Sequence, residues 1–199
     1  MADVALVCGG AGALGSAVVE ALRTRGDEVI VADRDIVDLT DADSVEAFWD
    51  ALEVGPRWVA NVAGTFRPGT VADSEPEGVK LVTDVNLGTA WWSCRSAARR
   101  LPEGGAIVNV AARAGLTGGS GSAAYAVAKA GVIRLTQVLA LELAERGIRV
   151  NAVVPALIET PSNRAQGITG GTSPAAVAAT IAFLLSEDAS AVTGAIVPV

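Results

Sequence analysis

Short, uninterrupted apolar runs alternate along the chain with longer segments of helical periodicity. An apolar run that stops at glycine or proline indicates a buried strand, whereas apolar residues three and four apart indicate a helix. The runs predict strands at 4–8, 28–33, 57–64, 105–112, 149–155 and near the C-terminal AIVPV. The periodic segments predict helices at 14–26, 44–55, 76–100, 122–145 and 174–188. This regular alternation predicts an α/β fold with a doubly wound parallel sheet.

Composition fits one well-packed domain. The chain has 199 residues, of which 51% are hydrophobic, 19% are charged and 4% are aromatic. Alanine, valine, leucine and glycine must therefore fill the core, which suits helices packed closely on a buried parallel sheet. Because the sequence shows no internal repeat and no linker, we expect residues 1–199 to form a single domain.

Charge and residue usage exclude several classes of function. The net charge is −7 and there is no run of five basic residues, which argues against binding to nucleic acid. The chain has no histidine, so a Ser-His-Asp or Cys-His mechanism and a histidine-ligated metal site are excluded. Cys8 and Cys94 lack the spacing of a metal site. The first apolar run is too short for a signal peptide or a membrane span, so we expect a cytoplasmic protein that binds no membrane.

A glycine-rich turn follows the first predicted strand. In CGGAGALGS (8–16), Gly10, Gly12 and Gly15 stand in G-x-G-x-x-G spacing between a strand and a helix. Such glycines let the backbone turn tightly and approach a pyrophosphate, which the free N–H groups of the following helix stabilise. The context predicts a Rossmann-type dinucleotide-binding domain.

An acidic residue at the end of the second strand predicts which dinucleotide binds. Asp33 lies about 20 positions after the turn, where its carboxylate can accept hydrogen bonds from the ribose hydroxyls and repel a 2′-phosphate. This favours NAD. Arg34 beside it could hold that phosphate, so NADP stays open.

Tyr125 is the only tyrosine, and Lys129, four residues later, is one of two lysines. Residues four apart share a helix face. A lysine beside a phenol stabilises the phenolate, so we expect a lowered tyrosine pKa and a side chain that can donate and accept a proton.

Together these motifs resemble the short-chain dehydrogenase/reductase family over nearly the whole chain. The matching segments are Gly9 to Gly15, Asp38-Leu39, NVAG (61–64), Asn86 in DVNLGTA, Tyr125-x-x-x-Lys129 and PALIETP (155–161). The resemblance implies that Tyr125 is the general acid/base, that Lys129 holds the nicotinamide ribose, and that Asn86 orders a water in the proton relay. The residues expected to contact the cofactor are Gly9, Ala11, Gly12, Leu14, Gly15, Asp33, Arg34, Asp38, Leu39, Asn61, Ala63, Gly64, Tyr125, Lys129, Pro155, Ile158 and Thr160.

The sequence departs from that family at Ala112, where a serine normally polarises the substrate carbonyl. Losing such a donor typically costs ~3–4 kcal/mol of barrier, so ordinary ketone chemistry should suffer. Ser120 or Ser122 could substitute, although Ser122 is placed as a helix N-cap. One branch of the family, the quinonoid dihydropteridine reductases, also lacks this serine, and the chain resembles it locally. Its substrate is an imine that is already electrophilic.

Cys8, in place of the usual threonine, is expected to cost a local hydrogen bond.

The sequence defines the residues that contact the substrate less well than those that contact the cofactor. Residues 162–173 contain three glycines and predict a short, mobile flap over an open site. Arg67, Arg113 and Arg164 follow segments at the cofactor's edge, where one of them could meet an anionic substrate. In relatives the long helix predicted at 76–100 and the Tyr/Lys helix form the dimer interface, so the resemblance implies a homodimer or homotetramer.

Three functions remain open from the sequence. The leading one is an NAD(P)H-dependent oxidoreductase acting on an activated C=O or C=N in a small molecule, such as a pterin-like or quinonoid ring. A non-redox enzyme that uses Tyr125 for elimination or cyclisation is the second. A non-catalytic nucleotide-binding protein is the third.

Overall fold

A six-stranded parallel sheet forms the centre of the structure, a computed structural model that describes residues 2–199. Its strands are β1 Val4–Cys8, β2 Glu28–Ala32, β3 Trp58–Asn61, β4 Ala106–Val110, β5 Arg149–Val154 and β6 Ile196–Pro198. They pair in the order β2-β1-β3-β4-β5-β6, so β2 and β6 are the edges. All six predicted strands are confirmed.

Helices cover both faces of the sheet. They are α1 Ala13–Arg25, α2 Ala42–Asp50, α3 Pro76–Thr83, α4 Thr89–Arg100, α5 Ala114–Thr117, α6 Ala123–Glu142, α7 Pro161–Ala165 and α8 Pro174–Leu185. Side chains of alternate strand residues point to opposite faces. Ala5 and Val7 of β1 therefore pack with α1 and α8, whereas Leu6 and Cys8 pack with α2, α4 and α6. The result is a single-domain, three-layer α/β fold of the Rossmann type.

The strand order places the site. From β1 the chain passes to β2 on one side and then crosses back to β3 on the other, so the order reverses between β1 and β3. Cys8 and Asn61 are neighbours in that pairing. Ligands of open α/β sheets bind at the carboxyl ends of the strands at such a switch point. The fold therefore brings the glycine turn after β1 beside the NVAG segment after β3.

The long helix predicted at 76–100 is continuous but not uniform. Residues Asp84–Gly88 form one π-helical turn between α3 and α4. Two further helices, α5 and α7, were not predicted, because each has only four or five residues. Arg95, Arg99 and Arg100, which the sequence places at a helix end, form ion pairs with Glu46 of α2.

Helix α6 is the only helix in residues 2–199 that is long and apolar enough to match a membrane span by length and composition. Its buried face carries Lys129, Val132, Thr136 and Leu139. The last three pack with β-strand residues or bond to them. This is the arrangement of a core helix.

Gly15 allows the first turn of α1 to lie against the glycine loop. A Cβ at this position would lie 2.7 Å from the Gly10 Cα and still closer to the Gly9 carbonyl oxygen. Gly12 differs, because a Cβ there would meet only the Gly9 oxygen at 3.6 Å, and its φ of −70° suits any residue. The two glycines therefore serve different needs. Gly15 is required for packing, whereas Gly12 leaves open space in front of the helix.

We predict that Gly15→Ala destabilises the fold by about 1–3 kcal/mol, the usual cost of overpacking, whereas Gly12→Ala leaves stability unchanged. Thermal unfolding of both variants beside the wild type measures this. Gly12→Ala should instead weaken NADH binding, measured by titration. Equal melting temperatures for the two variants would contradict the assignment of Gly15 to packing.

Candidate active site

The glycine turn ends in a helix N-terminus with free donors. Gly9 has a φ of +87°, and a Cβ there would lie 2.6 Å from the Ala63 nitrogen, so the turn lies directly on the NVAG segment. Among residues 2–199, no acceptor takes the N–H groups of Ala13, Leu14 or Gly15, which begin α1. These amides and the helix dipole can stabilise a phosphate. The side chain of Leu14 is itself buried in the core.

The Asp33 carboxylate joins the end of β2 to this turn. Its Oδ2 accepts a hydrogen bond from the Ala11 amide at 2.8 Å, and its Oδ1 accepts one from the Arg34 amide at 2.8 Å. Arg34 is exposed and has no ion pair within the described residues. The carboxylate oxygens retain lone pairs with which they can accept ribose hydroxyls.

The Asp38-Leu39 pair divides into two roles. Asp38 is exposed, and its Oδ1 accepts hydrogen bonds from the Thr40 hydroxyl at 2.7 Å and the Thr40 amide at 2.9 Å. These bonds hold the pKa of Asp38 below its usual value. Leu39, in contrast, is buried in the core with Leu6 and Val45. The side chain of Leu39 therefore packs the protein, which leaves only its backbone for a ligand.

The Asn61 side chain forms part of a buried chain of hydrogen bonds. Its Nδ2 donates to Asn109 Oδ1 at 2.8 Å, and Asn109 Nδ2 donates to the Thr136 hydroxyl at 2.9 Å. All three side chains are buried. The sequence predicts Asn61 as a cofactor ligand, but its Nδ2 is used beneath the site, where this chain of bonds joins β3, β4 and α6.

Asn86 occupies the π-helical turn and holds the loop after β3. Its Nδ2 donates to the carbonyls of Thr65 and Val82, both at 2.8 Å, and its Oδ1 accepts from the Thr65 amide at 3.3 Å. A π-turn frees carbonyls from the helical ladder and often marks a functional site. Here it directs Asn86 towards Gly64, because a Gly64 Cβ would lie 3.0 Å from the Asn86 oxygen.

Tyr125 and Lys129 lie one turn apart on α6, as predicted. Lys129 is buried, and its Nζ donates to the Val110 carbonyl at 2.8 Å. The same nitrogen lies 5.8 Å from the Tyr125 ring centroid, and a Gly64 Cβ would lie 3.4 Å from it. Gly64 is therefore the point where Asn86 and Lys129 approach each other. The structure thus brings together the three residues predicted as catalytic.

Burial controls both titrating groups. It lowers the pKa of Lys129 to about 8, because the ammonium loses water. It also raises the pKa of Tyr125 above its usual value. The expected lowering of the tyrosine pKa is therefore absent here. The cause is that desolvation of the phenol outweighs a cation held 5.8 Å from the ring.

Ala112 is buried between β4 and α5, two residues after the strand ends. Its carbonyl accepts the Gly115 amide at 2.9 Å, and the Arg113 amide donates to the Pro155 carbonyl at 3.0 Å. Ser122 does stand at the N-cap of α6, but its hydroxyl caps nothing. It donates instead to the Gly119 carbonyl at 3.2 Å.

The flap is more ordered than a glycine-rich loop. Ile158 pairs with Thr172, and Thr160 caps α7 by accepting the Asn163 amide at 3.2 Å. Glu159 accepts the Gly170 amide at 2.7 Å and pairs with Arg164 at 3.0 Å, which lowers the pKa of Glu159. The prediction of a mobile segment overlooked this anchor.

The three arginines that the sequence offers for an anionic substrate differ in whether they are already paired. Arg164 is held by Glu159, whereas Arg67 and Arg113 are exposed and form no ion pair within residues 2–199. Only the last two are free to meet an anionic substrate in this conformation.

Comparisons with known proteins agree with this geometry. The family model described as enoyl-(acyl carrier protein) reductase matches residues 13–199. The chain is 33% identical over 232 residues to cyclohexanol dehydrogenase of Acinetobacter sp. (strain SE19), covering 96% of this chain and 90% of the relative. It is 30% identical over 226 residues to the 3-oxoacyl-[acyl-carrier-protein] reductase FabG of Vibrio cholerae, covering 96% and 93%.

A solved short-chain dehydrogenase/reductase from Brucella melitensis superposes with a TM-score of 0.90 at 26% identity, covering 99% of this chain and 94% of that one. The chain belongs to the short-chain dehydrogenase/reductase family. Members of this family are NAD(P)-dependent dehydrogenases and reductases, and this chain is an oxidoreductase of that kind. The residues present fit such a cofactor, because free amides face the glycine turn and Gly12 leaves room in front of it.

Sequence reasoning missed two residues of this short-chain dehydrogenase/reductase site. A Cβ at Gly115 would lie 2.6 Å from the Lys129 backbone, so this glycine lets α5 press the Ala112 segment onto α6. Phe66 was also missed, although its ring contacts Tyr125 with a centroid distance of 5.2 Å. Neither residue belongs to a motif. An aromatic residue two positions after the NVAG segment was the only available signal.

Cys8 keeps a partner that was not expected. Its sulfur lies 3.4 Å from the Ser93 hydroxyl, so the loss of threonine does not cost the local contact. Burial raises the pKa of the thiol to about 11, which leaves it unreactive.

We predict that Lys129→Met stabilises the apo protein by about 2 kcal/mol near pH 7. The wild type must bury a charged ammonium there, and a pKa reduction from 10.5 to about 8 corresponds to about 3 kcal/mol, less about 1 kcal/mol for the lost hydrogen bond. Between pH 8 and pH 10 the unfolded lysine holds a proton that the folded one has lost, so wild-type stability rises and the difference should shrink.

Denaturant unfolding of both proteins at several pH values measures this difference. Lys80→Met, at the other and exposed lysine, is the control and should show no such pH dependence. A gap between Lys129→Met and wild type that stays constant from pH 7 to pH 10 would show that Lys129 is not titrating in this range.

Proposed function

We propose that this enzyme moves a hydride between NAD(H) and an activated C=O or C=N carbon of a small molecule, with Tyr125 as general acid/base. The observation that carries the proposal is the approach of Asn86 and Lys129 at Gly64, with Tyr125 one turn away from Lys129. These groups lie at the carboxyl edge of the sheet, on the same side as the free amides of α1.

Each side chain has a defined task in this proposal. When bound, the nicotinamide cofactor supplies the hydride for reduction and accepts it for oxidation. Tyr125 donates its phenolic proton to the substrate oxygen or nitrogen during reduction and takes one back during oxidation. Lys129 holds the nicotinamide ribose and, when charged, favours the phenolate. The Asn86 oxygen retains a lone pair that would order a water, from which Tyr125 recovers its proton.

Ala112 supports the choice of an activated substrate. Its methyl group cannot donate a hydrogen bond, and Ser122 gives its proton to the Gly119 carbonyl. Of Ala112, Ser122 and Tyr125, only Tyr125 then has a free donor for charge that develops on the substrate. A quinonoid or pterin-like ring accepts hydride without strong stabilisation of an oxyanion, so such rings are the substrates that we propose.

Asp33 supports NAD rather than NADP. Its carboxylate stands at the glycine turn, bound to the Ala11 amide, where a 2′-phosphate would be repelled. Arg34 is exposed and unpaired within the described residues, but it follows Asp33 rather than replacing it. We further propose the cytoplasm as the compartment, where NAD(H) is available to such an enzyme.

We predict that the wild type oxidises NADH faster than NADPH in a screen of quinonoid dihydropterin, quinones, ketones and imines. Tyr125→Phe should bind NADH normally and lose at least about a hundredfold in kcat on every substrate turned over, because general acid catalysis contributes that much. Absorbance of NADH and a binding titration measure the two effects. If Tyr125→Phe matched wild type on these substrates, the assigned role of Tyr125 would be wrong. Product formed without net change in NADH would instead favour elimination or cyclisation.

We also propose that two copies of the chain associate through α4 and α6. The outer face of α6 presents Val127, Ala130, Val138 and Leu141 at helical spacing, all exposed. The neighbouring helix α4 exposes Trp91. The exposed Arg134, between Ala130 and Val138, is the one charge on this otherwise apolar face. An exposed apolar face is typical of an interface between subunits. In relatives the same two helices form the dimer contact.

Leu141→Glu should therefore produce a monomer at concentrations where the wild type is a dimer or tetramer. A carboxylate would have to lose its water within an apolar contact. Sedimentation velocity measures the mass. Val54→Glu, at an exposed valine in the loop after α2, is the matched control and should leave the mass unchanged. The same mass for wild type and Leu141→Glu would contradict this interface.

A further inference from the structure

Phe66 is a large aromatic residue beside the general acid/base. Its ring meets the Tyr125 ring edge-to-face, with centroids 5.2 Å apart and planes at 82°. Even so, 59% of Phe66 stays exposed. Part of the phenyl ring therefore touches the tyrosine, while the rest of the residue is open to solvent beside the phenol.

Backbone hydrogen bonds fix the loop that carries Phe66 at both ends. On one side, Thr65 exchanges bonds with the Asn86 side chain. On the other side, the Gly69 amide donates to the Gly121 carbonyl at 2.8 Å, and the Ala123 amide donates to the Gly69 carbonyl at 3.0 Å. Ala123 stands two residues before Tyr125. The loop is thus anchored to both elements that form the catalytic group, which holds Phe66 in register with the phenol.

Exposed apolar residues and two arginines surround the site. The segments that follow β3, β4 and β5, three neighbouring strands, carry exposed large apolar residues, among them Phe66, Leu116 at 49% and Ile168 at 41%. Arg67 and Arg113 are exposed in the first two of these segments. The position that could have held an orienting hydroxyl is Ala112. An uncharged substrate, which cannot pair with Arg67 or Arg113, must be oriented mainly by shape and apolar contact. An aromatic face supports a flat ring better than a chain, since stacked aromatic pairs gain about 0.5–1.5 kcal/mol beyond area burial.

We propose that Phe66 determines substrate specificity by seating a planar ring of the substrate beside Tyr125. This inference rests on the proposed function and narrows it to ring-bearing carbonyl or imine compounds. Acyclic compounds of the same reactivity reach Tyr125 but gain nothing from Phe66. Phe66 takes no part in proton transfer, so its effect belongs to binding and appears in KM rather than kcat.

Kinetics with two α-diketones of similar reactivity test this, namely phenylpropanedione, which carries a ring, and butanedione, which does not. Phe66→Leu keeps an apolar side chain and should raise KM for phenylpropanedione about fivefold with little change in kcat, in line with the energy of an aromatic pair. KM for butanedione should stay within about twofold of wild type by the same reasoning. Phe66→Tyr keeps the ring and should restore the wild-type KM. Equal changes for both diketones, or no change, would overturn the proposal.

A binding measurement makes the test independent of turnover. The chain has three phenylalanines, so fluorine labelling gives three resonances, and the Phe66→Leu variant assigns one of them. In protein loaded with NAD⁺, which has no hydride to transfer to a diketone, phenylpropanedione should shift the Phe66 resonance and butanedione should not. Phe183 on α8, also half exposed, should not respond to either compound. No shift of Phe66 with the ring compound would overturn the proposal even if Tyr125→Phe is inactive. If phenylpropanedione shifts the Phe66 resonance and Tyr125→Phe is as active as the wild type, only the assigned role of Tyr125 is wrong.

Discussion

The ammonium of Lys129, buried 2.8 Å from the Val110 carbonyl, is the interaction on which the carboxyl edge of the sheet depends. A buried cation with one carbonyl partner is costly for the folded state, and its lowered pKa expresses that cost. The remaining packing must offset it. The lysine stays in place because α6 is fixed against the sheet through Thr136 and Asn109, and because α5 lies directly on its backbone. The site is therefore less stable locally than its surroundings, which is usual where a group is held ready for chemistry.

Glycines make this arrangement possible by leaving out side chains where elements meet. A Cβ at Gly64 would enter the space between Asn86 and Lys129, and one at Gly115 would strike the backbone of α6. Gly131 serves the other side of α6 in the same way, because a Cβ there would press on Leu87 of the π-helical turn. Three close approaches thus converge on one helix. The approach at Gly115 is the strictest, because a Cβ there would meet backbone, whereas Cβ atoms at Gly64 and Gly131 would meet side-chain ends that can shift. The position of Tyr125 is therefore defined by packing as well as by its own neighbours.

The sequence predicts the repeating layout of the fold well and the detail of the site less well. Apolar runs such as VALVC are buried on both faces, so their pattern needs no tertiary information, and the pair Tyr125 and Lys129 is local to one helix. By contrast, Asn61 lies in a motif, yet its amide nitrogen turns to Asn109, a partner 48 positions away. The raised pKa of Tyr125 and the contact with Phe66 likewise depend on which segments meet in space. Residues whose role arises from one element can be predicted, and those whose role arises between elements cannot.

Strand β2 lies at one edge of the sheet, and its free side has consequences for solubility. The strand reads EVIVA, a run of high β-propensity whose outer N–H and C=O groups could pair with another chain. Charged residues stand at both of its ends: Glu28 is its first residue, and Asp33, Arg34 and Asp35 follow it. Charges beside an apolar edge oppose the docking of a second strand, because each copy would bring charged residues to the contact. The acidic groups at the end of β2 therefore discourage aggregation along the open edge. One of them, Asp33 beside the glycine turn, is also the residue that we propose to bind the cofactor ribose.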